Sequence, residues 1–155
     1  MTGIAQRDRR AMGEQRPNDP PQAGESVATG EFRVLVVDDH PVVCTAVARV
    51  LDEHSEITVV GQASDGQQVL DMLAARSADV VVMDAAMPHV DGAQATRAIR
   101  SRWPEVTVVA ISTDYSPIAA QMIAAGAAAF VPKDAEPTAI SHAVVAAAAK
   151  SRSKH

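Results

Sequence analysis

The feature that most constrains the fold is an alternation between short apolar runs and longer segments of helical period, which repeats five times after residue 31. The apolar runs are rich in Val, Ile and Leu, as is typical of strands buried on both faces of a sheet. Between them, apolar residues recur every three or four positions, as they do along one face of a helix. The sequence predicts strands at 32–37, 57–61, 80–83, 106–111 and 129–131, and helices at 41–55, 67–76, 92–102, 117–125 and from 137 onward.

The same period indicates which helical side chains face the sheet. They are Val43, Val47, Val50, Leu51, Val69, Leu70, Leu73, Ala74, Ala95, Ile99, Ile118, Met122 and Ile123. Strands that alternate with helices over short connections imply right-handed crossovers and a parallel sheet covered on both faces. The predicted fold class is therefore α/β, a doubly wound (βα)5 domain with a five-stranded parallel sheet.

One shift in composition divides the chain. Residues 1–30 are polar, contain three prolines and show no hydrophobic period, so we expect a disordered N-terminal arm. The domain itself is expected at 31–150, and residues 151–155 are expected to form a short C-terminal tail.

Charge and composition exclude several classes of partner. The chain has 19 acidic and 14 basic residues, so it lacks the broad basic face that direct DNA binding requires. No segment has the apolar core of a signal peptide or the roughly 20 apolar residues of a membrane span. The single cysteine, Cys44, has no disulfide partner within the chain. A cytoplasmic location, with no membrane partner, is therefore the expectation, and Cys44 is assigned only a packing role.

Polar residues stand where the predicted strands end. Asp38 and Asp39 follow the first strand, Asp84 the third, Ser112 the fourth and Lys133 the fifth. Ligands of doubly wound sheets bind at the C-terminal ends of the strands, so these side chains are expected to meet at one edge. Any one of them has an ordinary explanation as a helix cap, a turn residue or a surface charge. Their combination favours a functional site.

Three carboxylates that meet at one edge repel one another, and a hard divalent cation such as Mg²⁺ removes that repulsion by taking oxygen ligands. A metal beside a carboxylate, a hydroxyl and an ammonium group is also what phosphoryl transfer needs. The sequence therefore predicts a Mg²⁺ site in which Asp84 is the nucleophile and forms an acyl phosphate.

The stretch from Phe32 to about Lys150 resembles the receiver domains of bacterial response regulators, most closely those of the LuxR/NarL type, which are usually joined to a helix-turn-helix output domain. The matching segments are Val34–Pro41, Val82–Asp84, Met87–Gly92, Ile111–Ser112, Ala125–Ala127 and Val131–Asp134. The resemblance implies the flavodoxin-like strand order 2-1-3-4-5. It also implies that a sensor histidine kinase phosphorylates Asp84 in a two-component phosphorelay.

Roles for further residues are implied by the same resemblance. Asp39 and Asp84 would bind Mg²⁺ directly, Asp38 would act mainly through a bound water, and the backbone carbonyl of Ala86 would complete the protein ligands. Ser112 and Lys133 would hold the phosphoryl oxygens.

Phe130 stands where the family has an aromatic switch residue, whose ring turns inward when the hydroxyl of Ser112 moves to the phosphate. The surface formed by the fourth helix, the fifth strand and the fifth helix would then change shape. We expect a downstream protein or a second copy of the chain to dock there. The surface is rich in small apolar residues, namely Ala119, Ala120, Ala124, Ala143, Val144 and Ala147.

Other functions stay open at this stage. A pseudo-receiver would bind partners without being phosphorylated. A phosphatase of the haloacid dehalogenase type also uses an Asp nucleophile with Mg²⁺, but it needs a second Asp where this chain has Ala86. A cobalamin-binding module is disfavoured because His40 lacks the Asp-x-His-x-x-Gly spacing, and His40 is expected to be a loop residue near the site. We therefore expect a signalling module rather than an enzyme, either stand-alone or part of a protein with a DNA-binding domain.

Overall fold

The computed structural model describes residues 31–87, 91–113 and 117–154. Five strands alternate with five helices in this part of the chain. The strands are β1 (Phe32–Val37), β2 (Ile57–Ala63), β3 (Val80–Asp84), β4 (Thr107–Ser112) and β5 (Ala129–Pro132). The helices are α1 (Pro41–Asp52), α2 (Gly66–Ala75), α3 (Gly92–Arg102), α4 (Ile118–Ala125) and α5 (Pro137–Lys154). The predicted N-terminal arm lies outside the described residues.

The strands form one parallel sheet in the order β2-β1-β3-β4-β5. This confirms the predicted doubly wound fold and its strand order. The chain moves outward from β1 to β2 and then continues from β3 in the opposite direction, so the order reverses between β1 and β3. A crevice opens at such a reversal, at the carboxyl ends of the two strands. The register pairs Val37 with Met83 there, which sets Asp38 beside Asp84.

Two hydrophobic clusters cover the two faces of the sheet. One contains Leu35 and Val37 with the inward faces of α2, α3 and α4, and the other contains Val34 and Val36 with those of α1 and α5. Successive side chains of β1 alternate between the clusters, because side chains along a strand point to opposite faces. The buried β-branched run at the start of the domain is therefore explained by a strand with helices on both sides.

Most of the predicted inward residues are buried, Val43, Val50 and Ile118 are partly buried, and two are exposed. Ala74 is exposed, and Ile123 is 48% exposed. Each follows a fully inward residue directly, and one step along a helix turns the side chain by about 100°. In α4, Met122 and Ala125 already occupy the stripe that faces the sheet. Val144, expected on the docking surface, is instead fully buried in the cluster beneath α1 and α5, so it is removed from that surface.

Helix α4 ends at Gly126, as predicted. Its φ of 117° lies in the left-handed region, which glycine adopts without the steric cost that a Cβ brings. The aliphatic stem of Arg100 lies over it, with Cγ only 2.7 Å from where a Cβ would be. The Arg100 guanidinium donates to the carbonyl oxygens of Pro104 and Val106, each at 2.6 Å. This residue therefore ties the end of α3 to the start of β4.

Helix α5 continues past the expected domain boundary at residue 150, as far as Lys154. Glycine and proline, the usual signals of a helix end, do not follow Lys150 in the sequence. The guanidinium of Arg152 lies 4.3 Å from the ring centre of Phe32 and 3.9 Å from Asp79 Oδ2. These contacts fasten the last turn of α5 to the amino-terminal edge of the sheet.

In the part of the chain that is described, every helix is too short or too polar to cross a lipid bilayer.

Candidate functional site

Two buried carboxylates meet at the crevice between β1 and β3. Asp38 follows β1 and is 1% exposed, while Asp84 is the last residue of β3 and is 2% exposed. The backbone N–H of Asp38 still donates to the Ala63 carbonyl, at 3.1 Å, so the residue is held by the end of β2. Asp39 is half-buried beside them. The structure thus brings together the three carboxylates that the sequence places at strand ends.

Lys133 supplies the cation of the site. Its Nζ lies 2.7 Å from Asp38 Oδ2 and 3.4 Å from Asp84 Oδ2. Its backbone N–H donates to the Ser112 carbonyl at 2.9 Å, which joins the ends of β4 and β5. A rigid backbone link of this kind fixes where the long side chain starts, and the side chain then reaches across to β3 and β1.

Ser112 and Phe130 lie on adjacent strands near the same edge. Ser112 is the last residue of β4 and is 2% exposed, one position beyond Ile111, which pairs with Asp84. Phe130 pairs with Ala110, and its half-buried ring packs against the cluster beneath α2, α3 and α4. Their expected switch roles stay a prediction.

The donor set fits a divalent cation. Asp38, Asp39, His40 and Asp84 each offer one ligand atom, and these four atoms all lie within 4.8 Å of one another. Among the described residues, no group donates a well-formed hydrogen bond to Asp38 Oδ2, Asp39 Oδ1 or Asp84 Oδ2. Lys133 and His40 nevertheless lie within ion-pair distance of them. Buried carboxylate oxygens that lack hydrogen bonds are costly, and binding to a cation such as Mg²⁺ removes the cost.

Burial raises the pKa of Asp84 from its ordinary 3.8 to about 6, and the charge of Asp38 adds to the rise. The Ala86 N–H, which donates to Asp84 Oδ1 at 3.1 Å, and the Lys133 ammonium oppose it. Although burial lowers the pKa of Lys133, its contacts with Asp38 and Asp84 more than reverse that effect. At neutral pH the site therefore holds an ionised Asp84 next to a charged lysine.

Gly92 shapes the site, a role that the sequence alone does not predict. A Cβ at this position would lie 2.5 Å from the backbone oxygen of Asp84 and 2.8 Å from Ala85 Cα. Asp91 and Gln94 form a capping box that starts α3 at this point, with the Asp91 side chain accepting from Gln94 N at 2.8 Å. The signal in the sequence was an Asp-Gly pair with Gln three residues after the Asp.

The His40 ring is in direct contact with the carboxylates of Asp38 and Asp39. Its Nδ1 is 3.1 Å from Asp39 Oδ1 and 3.3 Å from Asp38 Oδ1, and its backbone N–H donates to Asp38 Oδ1 at 2.9 Å. The sequence predicts His40 near the site but not these contacts, because the ring orientation depends on the backbone turn after β1.

Two other expectations concern Ala86 and Cys44. Ala86 is exposed next to the site, and the proposed ligation by its carbonyl stays a prediction. Cys44 is buried in α1 with its Sγ 3.6 Å from the Val36 carbonyl. Burial, with the nearby charge of Asp38, raises the pKa of this thiol, as expected of a packing residue.

Comparison with known proteins gives the same family from sequence and from structure. The family model described as "Response regulator receiver domain" matches residues 34–145. The response regulator GacA of Pseudomonas viridiflava is 39% identical over 105 residues, which are 67% of this chain and 49% of GacA. The chain spans about half the length of the curated relatives it matches.

Two solved structures share the fold. The signal receiver domain of the response regulator NarL from Mycobacterium tuberculosis has a TM-score of 0.73 at 39% identity, with 77% of this chain and 97% of that domain covered. A LuxR-family two-component response regulator from Aurantimonas has a TM-score of 0.74 at 29% identity, with coverages of 77% and 86%. By its sequence match and its strand order, this chain belongs to the response regulator receiver domain family.

Proposed function

We propose that the chain is a Mg²⁺-dependent phosphoacceptor in which a sensor histidine kinase transfers a phosphoryl group to Asp84. Membership of the receiver family supports a phosphoacceptor role in two-component signalling. The observation that carries the finer proposal is the position of Asp84. It is buried, its Oδ2 lacks a well-formed hydrogen bond from the described residues, and this oxygen lies 3.4 Å from the Lys133 ammonium, which also pairs with the buried Asp38.

In the transfer, an Asp84 carboxylate oxygen attacks phosphorus, the P–N bond to the donor histidine breaks, and an acyl phosphate forms on Asp84. The attacking group must be ionised, and even in the metal-free site a pKa of about 6 leaves Asp84 ionised at neutral pH. The Ala86 N–H holds one oxygen of this carboxylate and so orients the group.

Charge compensation is the main requirement of the transferred phosphoryl group. Lys133 is placed to pair with a phosphoryl oxygen, because its Nζ already lies 3.4 Å from Asp84 Oδ2. Ser112, buried one position beyond the residue that pairs with Asp84, would donate its hydroxyl to a second oxygen. When bound, Mg²⁺ would neutralise charge on the carboxylates and the phosphoryl oxygens, held by Asp39, Asp84 and the Ala86 carbonyl, with Asp38 acting through a water.

The output of the switch would be the surface of α4, β5 and α5. Movement of the Ser112 hydroxyl towards the phosphate would leave room for the half-buried Phe130 ring to turn inward. Ala120 and Ala124 are exposed on α4, on the surface where we place the docking of a downstream protein or a second copy. DNA binding is not proposed for this chain, whose charge is −5 at pH 7.

The alternatives explain the site less well. Buried charges such as those around Asp84 cost stability. A pseudo-receiver, which is not phosphorylated, has no use for them that would offset this cost. An Asp-nucleophile phosphatase needs an acid or base two residues after the nucleophile, and this position is Ala86. Receiver domains are signalling modules, so we do not propose an enzyme.

The experiment is intact mass spectrometry after incubation with Mg²⁺ and phosphoramidate, a small donor whose P–N bond mimics phosphohistidine. A single labile phosphoryl adduct is expected, and it should be absent from Asp84→Ala and from a sample treated with a metal chelator. Asp71→Asn is the matched control, since Asp71 is an exposed carboxylate on α2 that bonds only its neighbour Gln67 among the contacts described. No adduct on the wild-type chain would contradict the proposal.

A further inference from the structure

We propose that His40 is a determinant of metal selectivity, adding a nitrogen ligand that shifts the site's preference from Mg²⁺ towards first-row transition-metal ions such as Mn²⁺ and Co²⁺. The inference rests on the metal site of the proposed function and concerns which ion occupies it.

The backbone holds the imidazole over the acidic cluster. His40 is the N-cap residue of α1, and its backbone N–H is bound to Asp38 Oδ1 at 2.9 Å. The imidazole makes no capping hydrogen bond to α1. It is therefore not needed by the helix, and its Nδ1 instead lies 3.1 Å from Asp39 Oδ1 and 3.3 Å from Asp38 Oδ1.

The cluster is more than a group of acidic side chains. The His40 nitrogen and one oxygen from each of Asp38, Asp39 and Asp84 lie within 4.8 Å of one another, close enough to surround one ion. Asp84 Oδ2 is completely buried and accepts no well-formed hydrogen bond from the described residues. The nearest cation to this oxygen is the Lys133 ammonium at 3.4 Å, which also pairs with Asp38. One ammonium group does not balance three carboxylates, so the cluster can take up a further cation beside the His40 nitrogen.

The His40 imidazole is the only nitrogen ligand among the four groups, and it determines which ion the site prefers. Mg²⁺ takes oxygen ligands almost exclusively and gives up its waters reluctantly. Imidazole suits the later divalent ions, whose affinity for nitrogen rises from Mn²⁺ to Co²⁺ and beyond. A site that adds one imidazole to its carboxylate ligands should therefore bind Co²⁺ and Mn²⁺ with an advantage over Mg²⁺ that an all-oxygen site does not provide.

Other histidines of the chain provide the contrast. His54 uses its Nδ1 to accept the Glu56 N–H at 3.1 Å, as a local turn contact. His142 is exposed on α5 and is not a member of the cluster. Of the histidines that the structure describes, only His40 offers a ring nitrogen to the carboxylates. Its side chain is 67% exposed, so the ring has room to adjust when an ion enters.

The test compares the wild-type chain with His40→Asn, which keeps a residue suited to the N-cap position, and with His142→Asn as the matched control. Dissociation constants for Mg²⁺, Mn²⁺ and Co²⁺ are measured by calorimetry at a fixed pH. Pulsed electron paramagnetic resonance of the Mn²⁺ complex then reports whether a nitrogen nucleus is coupled to the metal. This second readout does not depend on phosphorylation.

We expect His40→Asn to reduce the ratio of Co²⁺ to Mg²⁺ affinity by about tenfold and to abolish the nitrogen coupling, with His142→Asn unchanged. An unchanged ratio in His40→Asn, or a wild-type Mn²⁺ spectrum without nitrogen coupling, would overturn the inference. If Mg²⁺ binds and Asp84 is phosphorylated while the ratio stays constant, only the role of His40 is lost. If no ion binds the wild-type chain, the metal dependence of the proposed function is lost as well.

Discussion

The two ends of the sheet treat their charged residues in opposite ways. At the amino-terminal end, Arg152 lies over Phe32 and near Asp79, and Asp79 also accepts the Arg33 N–H at 2.8 Å. At the carboxyl end, Asp38 and Asp84 are buried side by side with oxygens that no described residue satisfies by a hydrogen bond. At the amino-terminal end one cation faces one carboxylate, whereas at the carboxyl end two buried carboxylates share the single ammonium group of Lys133. The arrangement of charges alone therefore distinguishes the end of the sheet that holds the fold together from the end that carries the candidate site.

The largest effect is expected from the two glycines that mark the opposite ends. Gly92→Ala would push a methyl group into the backbone of Asp84 and Ala85, which cannot move aside, and should lower the free energy of unfolding by about 3 kcal/mol. Gly126→Ala meets the flexible stem of Arg100 and the cost of a positive φ, and should lower it by about 1–2 kcal/mol. Urea denaturation measures both. Equal losses would show that α3 does not press on the acceptor strand as closely as described.

A second effect isolates the free-energy cost of burying the Asp84 carboxylate. Because burial raises the pKa of Asp84 to about 6, the metal-free folded state binds this proton more tightly than the unfolded state does. The ionised group therefore destabilises the fold fully above pH 6, and the cost disappears as the pH falls towards 4. Asp84→Asn should be more stable than the wild type at pH 7, on the order of 2 kcal/mol, and the difference should shrink at pH 4.

Saturating Mg²⁺ should reverse this order at pH 7, because the ion binds the folded wild-type protein more tightly than the folded Asp84→Asn variant. Thermal denaturation of both proteins with and without Mg²⁺ provides the comparison. If the difference in stability between the wild type and Asp84→Asn did not change with pH, the cost would not come from an Asp84 carboxylate with a raised pKa.

A third effect compares cations from the two ends. Lys133→Ala removes the charge next to Asp84 and should slow adduct formation from phosphoramidate by about tenfold or more. Arg152→Ala removes a cation from the opposite end and should leave this rate unchanged within about twofold, while lowering stability by about 1 kcal/mol. Stopped-flow or quenched mass measurements give the rates. A rate equally sensitive to both changes would remove the distinction between site and scaffold.

The smallest effect concerns access to the acyl phosphate. Ala86 is exposed next to Asp84, the proposed acceptor, and its small side chain offers little cover against water. Ala86→Lys should increase this cover and lengthen the phosphate lifetime by at least about threefold. Ala120→Lys, on an exposed alanine of α4, is the control and should leave the lifetime unchanged. Release of inorganic phosphate from the purified adduct measures both lifetimes.

Much of the fold could be predicted from the sequence because the three central strands, β1, β3 and β4, are buried runs rich in β-branched residues. The boundaries were less certain. Strand β2 was predicted to end at Gly61 but extends to Ala63, because Ala63 pairs with Val37 after a bulge between Val34 and Leu35 shifts the register. Nothing local in Gln62-Ala63 indicates a strand, so its length is set by the partner. The exposure of Ile123 could not be predicted either, because an apolar period along a helix does not show how wide its buried stripe is.

The residues of the candidate site could be predicted to lie together because strand ends meet at one edge of a parallel sheet. Their detailed arrangement could not be found in this way. Lys133 lies closer to Asp38 than to Asp84, which depends on where β5 ends in space. The contact of His40 with Asp39 follows from a backbone hydrogen bond in the turn after β1. The close approach of Gly92 to Asp84 depends on how α3 packs on the sheet.

The most direct test of the central claim is the chemical identification of the phosphorylated residue. Borohydride reduces an aspartyl acyl phosphate to homoserine, and peptide sequencing by mass spectrometry then locates the converted position. After treatment with Mg²⁺ and phosphoramidate, we predict homoserine at position 84 alone, and none when the metal is chelated. Conversion at another aspartate such as Asp38 or Asp39, or conversion at Asp84 that does not require metal, would contradict the account.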